Sequence, residues 1–557
     1  MIRPGPVFHS MEKFSPIFPH PGKCFSTLWK NRGRAAVRAA GVFAVAALCA
    51  VTAAARQVHL TVLSTTDMHG SIRRTPGVYV ENNEGSLLQC ATLIRQVRAE
   101  NPNTLLVDCG DIFQGTAESF LSRGGIMATA MNALGYDAYA LGNHEFDWGV
   151  DTLGGLLGQM QATPLAANLL AGPEAPEVFQ KIQPYTIKEM DGIKVAIVGL
   201  TTPNIPNWFR DVAAHDLRVV DSRRALEAAL PLVRREQPQV LILLVHQGIQ
   251  AEDDEANQIN AIGRRFGEFD LALGGHLHWT LIGARVGKID YAQGGSGAQG
   301  VMRTDLIFDT VENRVVDKKF AYLPVGPATP VDPALASLVA GDLAKADAWL
   351  GKELGRTRTN LACSLAGAGL CPVQQLLCRA IAEKTGAEVV LHGVLSDQDI
   401  PAGPVRVADV WRIVPYENSV GTLWLTVAEI QAVMEEAAAY LGTDRYFGAW
   451  GLQYEVHSYA REGRRIRNLR AADGSPINGK RRLKVALNSY HLAGGGGRFP
   501  ALVKLAATPN CRLEMMEMTT RDMVQDYIRR HRILDIPEGT NAVVVREAPR
   551  RWLRRND

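Results

Sequence analysis

Residues Ala138–Gly149 read AYALGNHEFDWG. A short apolar run, Ala138–Leu141, passes through Gly142 into Asn143, His144 and Glu145, with Asp147 close behind. The same design, apolar strand first and metal-capable side chains after it, recurs four times. Thr61–Thr66 runs into Asp67-Met68-His69-Gly70, and Thr104–Val107 into Asp108-Cys109-Gly110-Asp111. Val240–Val245 ends in His246, and Leu271–Leu273 runs into Gly274-Gly275-His276-Leu277-His278. Ligand sites in open α/β sheets gather at the carboxyl ends of strands, so segments far apart in sequence can converge there. The glycines let the backbone turn sharply beside the ligands.

The residue types define the chemistry. Imidazole mixed with carboxylate suits Zn, Mn, Fe or Co, whereas an all-oxygen shell would suit Mg or Ca. Asp67, His69, Asp111, Asn143, His246, His276 and His278 are enough ligands for two divalent ions that share a bridging carboxylate at about 3.5–4 Å. Such a pair orients a phosphoryl group, activates water and stabilises charge on the transferred oxygens. Any one of these histidines alone reads better as a core or capped residue. All five motifs, in order and each behind a strand, do not. His59 and His215 fall outside the motifs and read as structural or surface residues, and Asp108 is expected to satisfy loop amides.

Around these motifs the chain of 557 residues is long enough for two or more domains. Strands are expected at His59–Thr65, Thr104–Val107, Ala138–Leu141, Val195–Leu200, Val240–Val245 and Leu271–Leu273. Helices are expected at Leu87–Glu100, Gly125–Leu134 and Arg223–Arg235 between them. A Pro-rich stretch, Pro324–Pro333, precedes an amphipathic connector helix at Ala334–Leu354. A second α/β unit follows from about Gly355, with helices at Pro372–Lys384 and Val427–Leu441. The organisation is therefore 1–55 leader, 56–328 metal-bearing domain, 329–355 linker helix and 356–557 second domain.

The first 55 residues carry seven Lys/Arg against one acid, Glu12; without them 53 basic residues face 56 acidic ones. Net charge thus gives no reason to expect a nucleic-acid polymer as partner, and the basic tail from Arg546 to Arg555 reads as solvated. Lys30, Arg32, Arg34 and Arg38, the apolar run Ala39–Val51 and the small residues Ala53–Ala55 compose an export signal cleaved near Ala55. No later run is long enough to span a bilayer, so the expected product is soluble, monomeric, and periplasmic or secreted. Cys363 and Cys371 bracket a Gly-rich loop and are candidates for a disulfide in an oxidising compartment.

The series DMHG, GD, GNHEFDWG, His246 and GHLH resembles the calcineurin-type metallophosphoesterases. The GNHEFD form followed by a second domain is similar to the bacterial 5'-nucleotidase family, which includes UDP-sugar hydrolases and 2',3'-cyclic-nucleotide phosphodiesterases. The resemblance implies an α/β (α+β) fold: a four-layer metallophosphoesterase sandwich with a smaller α/β domain joined by a connector helix. It implies one ion held by Asp67, His69, Asp111 and His278 and another by Asp111, Asn143, His246 and His276, with Asp111 bridging. His144 matches the family's catalytic histidine and Asp147 its orienting carboxylate. An Asp accepting from an imidazole fixes its tautomer and raises its basicity, so the physical logic agrees. Glu145 and Trp148 read as packing or supporting residues.

In the second domain, Val414-Pro415-Tyr416-Glu417-Asn418 and Asn488-Ser489-Tyr490-His491-Leu492-Ala493-Gly494-Gly495 resemble the family's two nucleotide-binding motifs. Tyr416 and Tyr490 would sandwich a base and Asn418 would contact it. Two positions depart from the family. Leu391–Asp399 lacks the Arg that reaches substrate phosphate, and Gly496 stands where an Asp usually contacts ribose. Arg498 or His392 is the candidate replacement for the missing cation. The expected function is hydrolysis of a nucleotide phosphoester. The alternatives are a cyclic nucleotide, a UDP-sugar or another ester, and, less expected, non-catalytic nucleotide binding.

Overall fold

The computed structural model describes residues 56–75, 84–209, 211–364 and 369–546. The leader expected at 1–55 and the tail beyond Arg546 lie outside the described residues. In the first domain, β1 (Gln57–Thr65), β2 (Thr104–Asp108), β3 (Ala138–Ala140) and β4 (Thr163–Leu165) pair in parallel. Short β5 (Leu169–Ala171) pairs with β8 (Leu217–Val219) as a separate ribbon. A second sheet holds β6 (Tyr185–Met190), β7 (Ile193–Leu200), β9 (Val240–Val245), β10 (Leu271–Gly274), β11 (Thr280–Val286) and β12 (Ile289–Gly294), in the order β11-β12-β10-β9-β7-β6. The hairpin β13 (Gly300–Asp309) and β14 (Arg314–Pro324) returns to the first sheet and flanks β1, giving β14-β13-β1-β2-β3-β4.

Side-chain alternation explains why these sheets stack. In β9 every residue is apolar: Val240, Ile242 and Leu244 meet Val58, Leu60 and Val107 of the first sheet. Leu241, Leu243 and Val245 point the other way, against Leu226, Leu230 and Val233 of the helix Ser222–Arg235. A strand buried on both faces has no room for alternation of polarity. Each such side chain contributes roughly 1.5–3 kcal/mol on burial. The outer face of the first sheet is covered by the helices Leu87–Glu100, Gly125–Leu134 and Val150–Gln159. Helix, sheet, sheet and helix make the expected four layers.

The connector helix is shorter than expected, Pro333–Leu350 rather than Ala334–Leu354. Asp332 caps it, accepting from Leu335 N, and Pro333 occupies the first turn, where a missing N–H costs nothing. It stops at Gly351, and Glu353–Thr357 becomes a strand paired with Gly403–Arg406. A glycine weakens the last turn, and the strand partner takes the backbone groups that follow. The second domain centres on a sheet of Gly448–Trp450, Val389–His392, Arg482–Asn488, Ser419–Thr426 and Glu514–Thr519. The helices Pro372–Thr385 and Thr520–His531 cover one face and Val427–Ala438 and Pro500–Ala506 the other. Val427–Ala438 ends before the expected Leu441 because Ala439 and Tyr440 bond back into a turn. Among the described residues no helix is long and apolar enough to cross a membrane.

Candidate active site

Every motif leaves its strand at the carboxyl end: β1 delivers Asp67 and His69, β2 Asp111, β3 Asn143 and His144, β9 His246, β10 His276 and His278. The donor atoms of Asp67, His69 and His278 lie within 4.8 Å of one another, and so do those of Asp111, His246 and His276. His69 Nε2 and His278 Nε2 are 3.1 Å apart. His246 Nε2 is 3.0 Å from Asp111 Oδ2 and 3.2 Å from Asn143 Oδ1. Asp111 Oδ2 also reaches to 4.0 Å from His69 Nε2, so this oxygen stands between the two groups.

The loops hold these residues in conformations that side chains rarely choose. Asp67, His69, Asp111, His276 and His278 all have positive φ, between 47° and 78°. Each costs on the order of 1–2 kcal/mol for a residue with a Cβ. Cross-loop hydrogen bonds offset that cost: Asp67 N donates to Gly110 O, His69 N to Asp111 O and His276 N to Asp67 Oδ1, each at 2.9 Å.

Glu145 organises the same loops. Buried, it accepts from the amides of Asp111, Ile112 and Gly142 at 2.6–2.9 Å. This is the supporting role of the two read from sequence, and two of its partners, Asp111 and Ile112, lie over thirty positions upstream, where nothing in the sequence marks the bond. Asp108 behaves as expected, accepting from Gly110 N at 2.7 Å and Thr65 Oγ1 at 2.6 Å. Gly142 admits no side chain, since a Cβ there would sit 2.1 Å from Asp111 Oδ1. Gly142→Ala is therefore expected to push Asp111 aside and lower bound metal at least about tenfold. Metal analysis after dialysis of the folded variant checks this, and full metal content would contradict it.

The residues suit a pair of ions. His69 Nδ1 donates to Gln114 O at 3.0 Å and His246 Nδ1 to Cys109 O at 2.8 Å. A carbonyl only accepts, so Nδ1 carries a proton in both rings, and the Nε2 that faces the carboxylates is the atom left for an ion once the ring is neutral. Burial and the neighbouring imidazole of His278 pull His69 down to about 3; burial and His246 do the same to His276. Both are therefore neutral, as a ligand must be. For His246 burial acts downward, but Asp111 outweighs it and lifts the imidazole to about 9. Burial alone would raise Asp111, yet His246 and His144 hold it well below the usual carboxylate range.

His144 stands beside these groups, its ring 5.2 Å from that of His69. Its backbone N–H donates to Asp111 Oδ1 at 2.8 Å, and its ring Nδ1 lies 2.8 Å from Asp147 Oδ2. Burial pulls its pKa down, but Asp147 and Asp111 prevail and raise it to about 10. This is the geometry of an imidazole whose Nδ1–H is held by a carboxylate, which also favours the charged ring.

In the second domain, Val420 pairs with Asn488, so the loop holding Tyr416 and Asn418 and the turn holding Tyr490 lie at the same end of the sheet. Tyr416 and Tyr490 are 36% and 47% exposed, open enough for both rings to be reached. Arg498 is drawn inward: it donates to Gly495 O and to the Tyr490 hydroxyl, 3.2 Å away, and lies over the Tyr490 ring. His392 is buried, donates through Nδ1 to Gly393 O and is pushed down to about 4 by burial, so it brings no positive charge in place of the absent Arg. The disulfide expected between Cys363 and Cys371 is not formed. Both are free thiols that hydrogen-bond to each other, and the Cys363 sulfur also lies 3.1 Å from Ser396 O.

The calcineurin-like phosphoesterase family profile matches residues 60–280, and the 5'-nucleotidase C-terminal domain profile residues 351–504. The trifunctional nucleotide phosphoesterase protein YfkN of Bacillus subtilis is 26% identical over 568 residues, covering 85% of this chain and 38% of that protein. The 5'-nucleotidase of Bos taurus is 34% identical over 258 residues, covering 45% of this chain and 43% of that protein. The chain thus spans less than half the length of these curated relatives. The 5'-nucleotidase precursor of Thermus thermophilus shares the fold with a TM-score of 0.67 at 21% identity, covering 88% of this chain and 100% of that one.

Proposed function

The chain belongs to the bacterial 5'-nucleotidase family of metallophosphoesterases, whose members are phosphoric ester hydrolases, and from that premise we propose that it releases phosphate from nucleotides outside the cytoplasm. The observation that carries this reading is the pair of ligand groups that share Asp111 Oδ2, with the His144–Asp147 pair at their rim. Asp67, His69, Asp111 and His278 would hold one divalent ion, and Asp111, Asn143, His246 and His276 the other, of Zn, Mn, Co or Fe type. When bound, such ions polarise a phosphoryl oxygen and supply an activated water. The chain's own residues do the rest. His144 presents an N–H to the phosphoryl oxygens or leaving group, and Asp147 keeps the ring turned toward them. Tyr416 and Tyr490 take the base between flat faces, and Asn418 bonds its edge.

A second reading keeps the chemistry and changes the ester to a cyclic nucleotide or UDP-sugar. Asp397 and its neighbours offer no cation where the family places Arg, and Gly496 offers no carboxylate to ribose. A phosphate-release screen over mono-, cyclic and sugar nucleotides, in Mn or Zn, separates the two by kcat/KM. Release from no nucleoside phosphate at all would overturn both. The export part of the proposal predicts a mature amino terminus close after Ala55, read by terminal sequencing of the periplasmic or secreted protein.

A further inference from the structure

Trp148 follows Asp147 directly, and its indole Nε1 donates to Glu417 Oε2 at 2.5 Å, across 269 positions of sequence. Glu417 lies between Tyr416 and Asn418, and its other oxygen, Oε1, is 3.3 Å from Arg521 Nη1. Arg521 also donates to the carbonyls of Val414 and Pro415, at 3.0 and 2.9 Å, and lies over the Trp411 ring at 3.4 Å. The Glu417 and Arg521 side chains are 4% and 3% exposed. A carboxylate this buried is held by its partners, and removing one leaves the other charge stranded. The loop 414–418 is thus fixed from one side by Arg521 and from the other by the residue next to Asp147. Where the family resemblance implies a substrate loop and a catalytic pair on separate domains, here one carboxylate bonds the first to the neighbour of the second.

We propose that Glu417 is a positioning residue: through Trp148 and Arg521 it sets the substrate loop Tyr416–Asn418 against the His144–Asp147 pair. A base held by that loop is thereby placed so that its phosphate meets the metal ligands. The inference rests on the nucleotide reading above. Orientation of this kind is sensitive, since a displacement of about 1 Å can cost up to about 10²-fold in rate. The aromatic contacts around it extend the same junction: Phe120 of the first domain lies 5.7 Å from Trp411 of the second and 6.4 Å from Trp148.

The test compares a nucleotide with 4-nitrophenyl phosphate, which has no base for the second domain to hold, in the full chain with metal. Glu417→Gln keeps size but leaves one acceptor where Trp148 and Arg521 both need one, and Trp148→Phe removes the indole donor. Each is expected to lower the nucleotide kcat/KM by about tenfold or more while 4-nitrophenyl phosphate turnover stays within about twofold. The double variant is expected to lose no more than either single one, the signature of a shared interaction. An unchanged ratio between the two substrates, or fully additive losses, would overturn the proposal. Hydrogen exchange gives a readout that needs no substrate: Trp148→Phe should speed exchange of the amides of residues 416–418, and unaltered exchange there overturns the coupling. If the unmodified chain hydrolyses 4-nitrophenyl phosphate but no nucleotide, the nucleotide reading fails, and exchange alone decides whether Glu417 holds the junction.

Discussion

Asp111→Ala is expected to lower kcat/KM on the order of 10⁴-fold or more, a deeper loss than removal of any other single ligand. The reason is position. Oδ2 of Asp111 lies 3.0 Å from His246 Nε2 and 4.0 Å from His69 Nε2, so one carboxylate serves both groups. Oδ1 meanwhile accepts the His144 amide, and the loss of that bond frees the start of the catalytic segment. A terminal ligand such as His278 touches only the first group, and its loss would weaken one ion. Residues that act as a unit are strongly non-additive, so Asp111→Ala combined with His278→Ala should be little worse than Asp111→Ala alone. Metal stoichiometry measured beside turnover gives the sharper check: Asp111→Ala should lose both ions, His278→Ala one. Equal losses across all seven ligands would mean that no residue bridges.

The five motifs were legible because each combines two independent signals, an apolar run and a ligand type, at the place where α/β sheets expose their strand ends. Strand β9 was read to its exact bounds because six buried apolar residues leave no other reading. The hairpin Gly300–Pro324 was not foreseen, since β14 alternates between half-exposed and exposed residues and carries several charges. Its pairing with β13 is decided by partners, not by its own composition. The work of Glu145 was hidden for a related reason. It bonds backbone amides on another loop, and backbone groups have no residue type to read. The Trp148–Glu417 bond was equally invisible, because nothing in the sequence pairs an indole with a carboxylate 269 positions away until the two domains are docked. Cys363 and Cys371 show what spacing can reach: the two sulfurs are brought together as hydrogen-bonded free thiols.

His144→Ala is expected to cost about 10²–10⁴-fold in kcat while leaving metal content intact. Its ring belongs to neither ligand group, so unlike Asp111→Ala it should separate chemistry from metal binding. The pH profile tests the role of its partner. Asp147, 2.8 Å from Nδ1, and Asp111 raise the imidazole to about 10 against the pull of burial. If the charged ring is the working form, activity falls as pH rises through the pKa that His144 has in the loaded enzyme. Asp147→Asn removes a group that raises that pKa, so the alkaline limb should move to lower pH. The shift direction follows from the sign alone and holds even where bound ions lower the absolute value. The same variant should lose about 10–10²-fold in rate, as expected when a carboxylate that orients a working imidazole is lost. A limb that stays in place after Asp147→Asn, or moves to higher pH, would show that some group other than His144 titrates there. His144→Ala with unchanged kcat would remove the histidine from the reaction altogether, leaving the two ligand groups as the whole of the catalytic machinery.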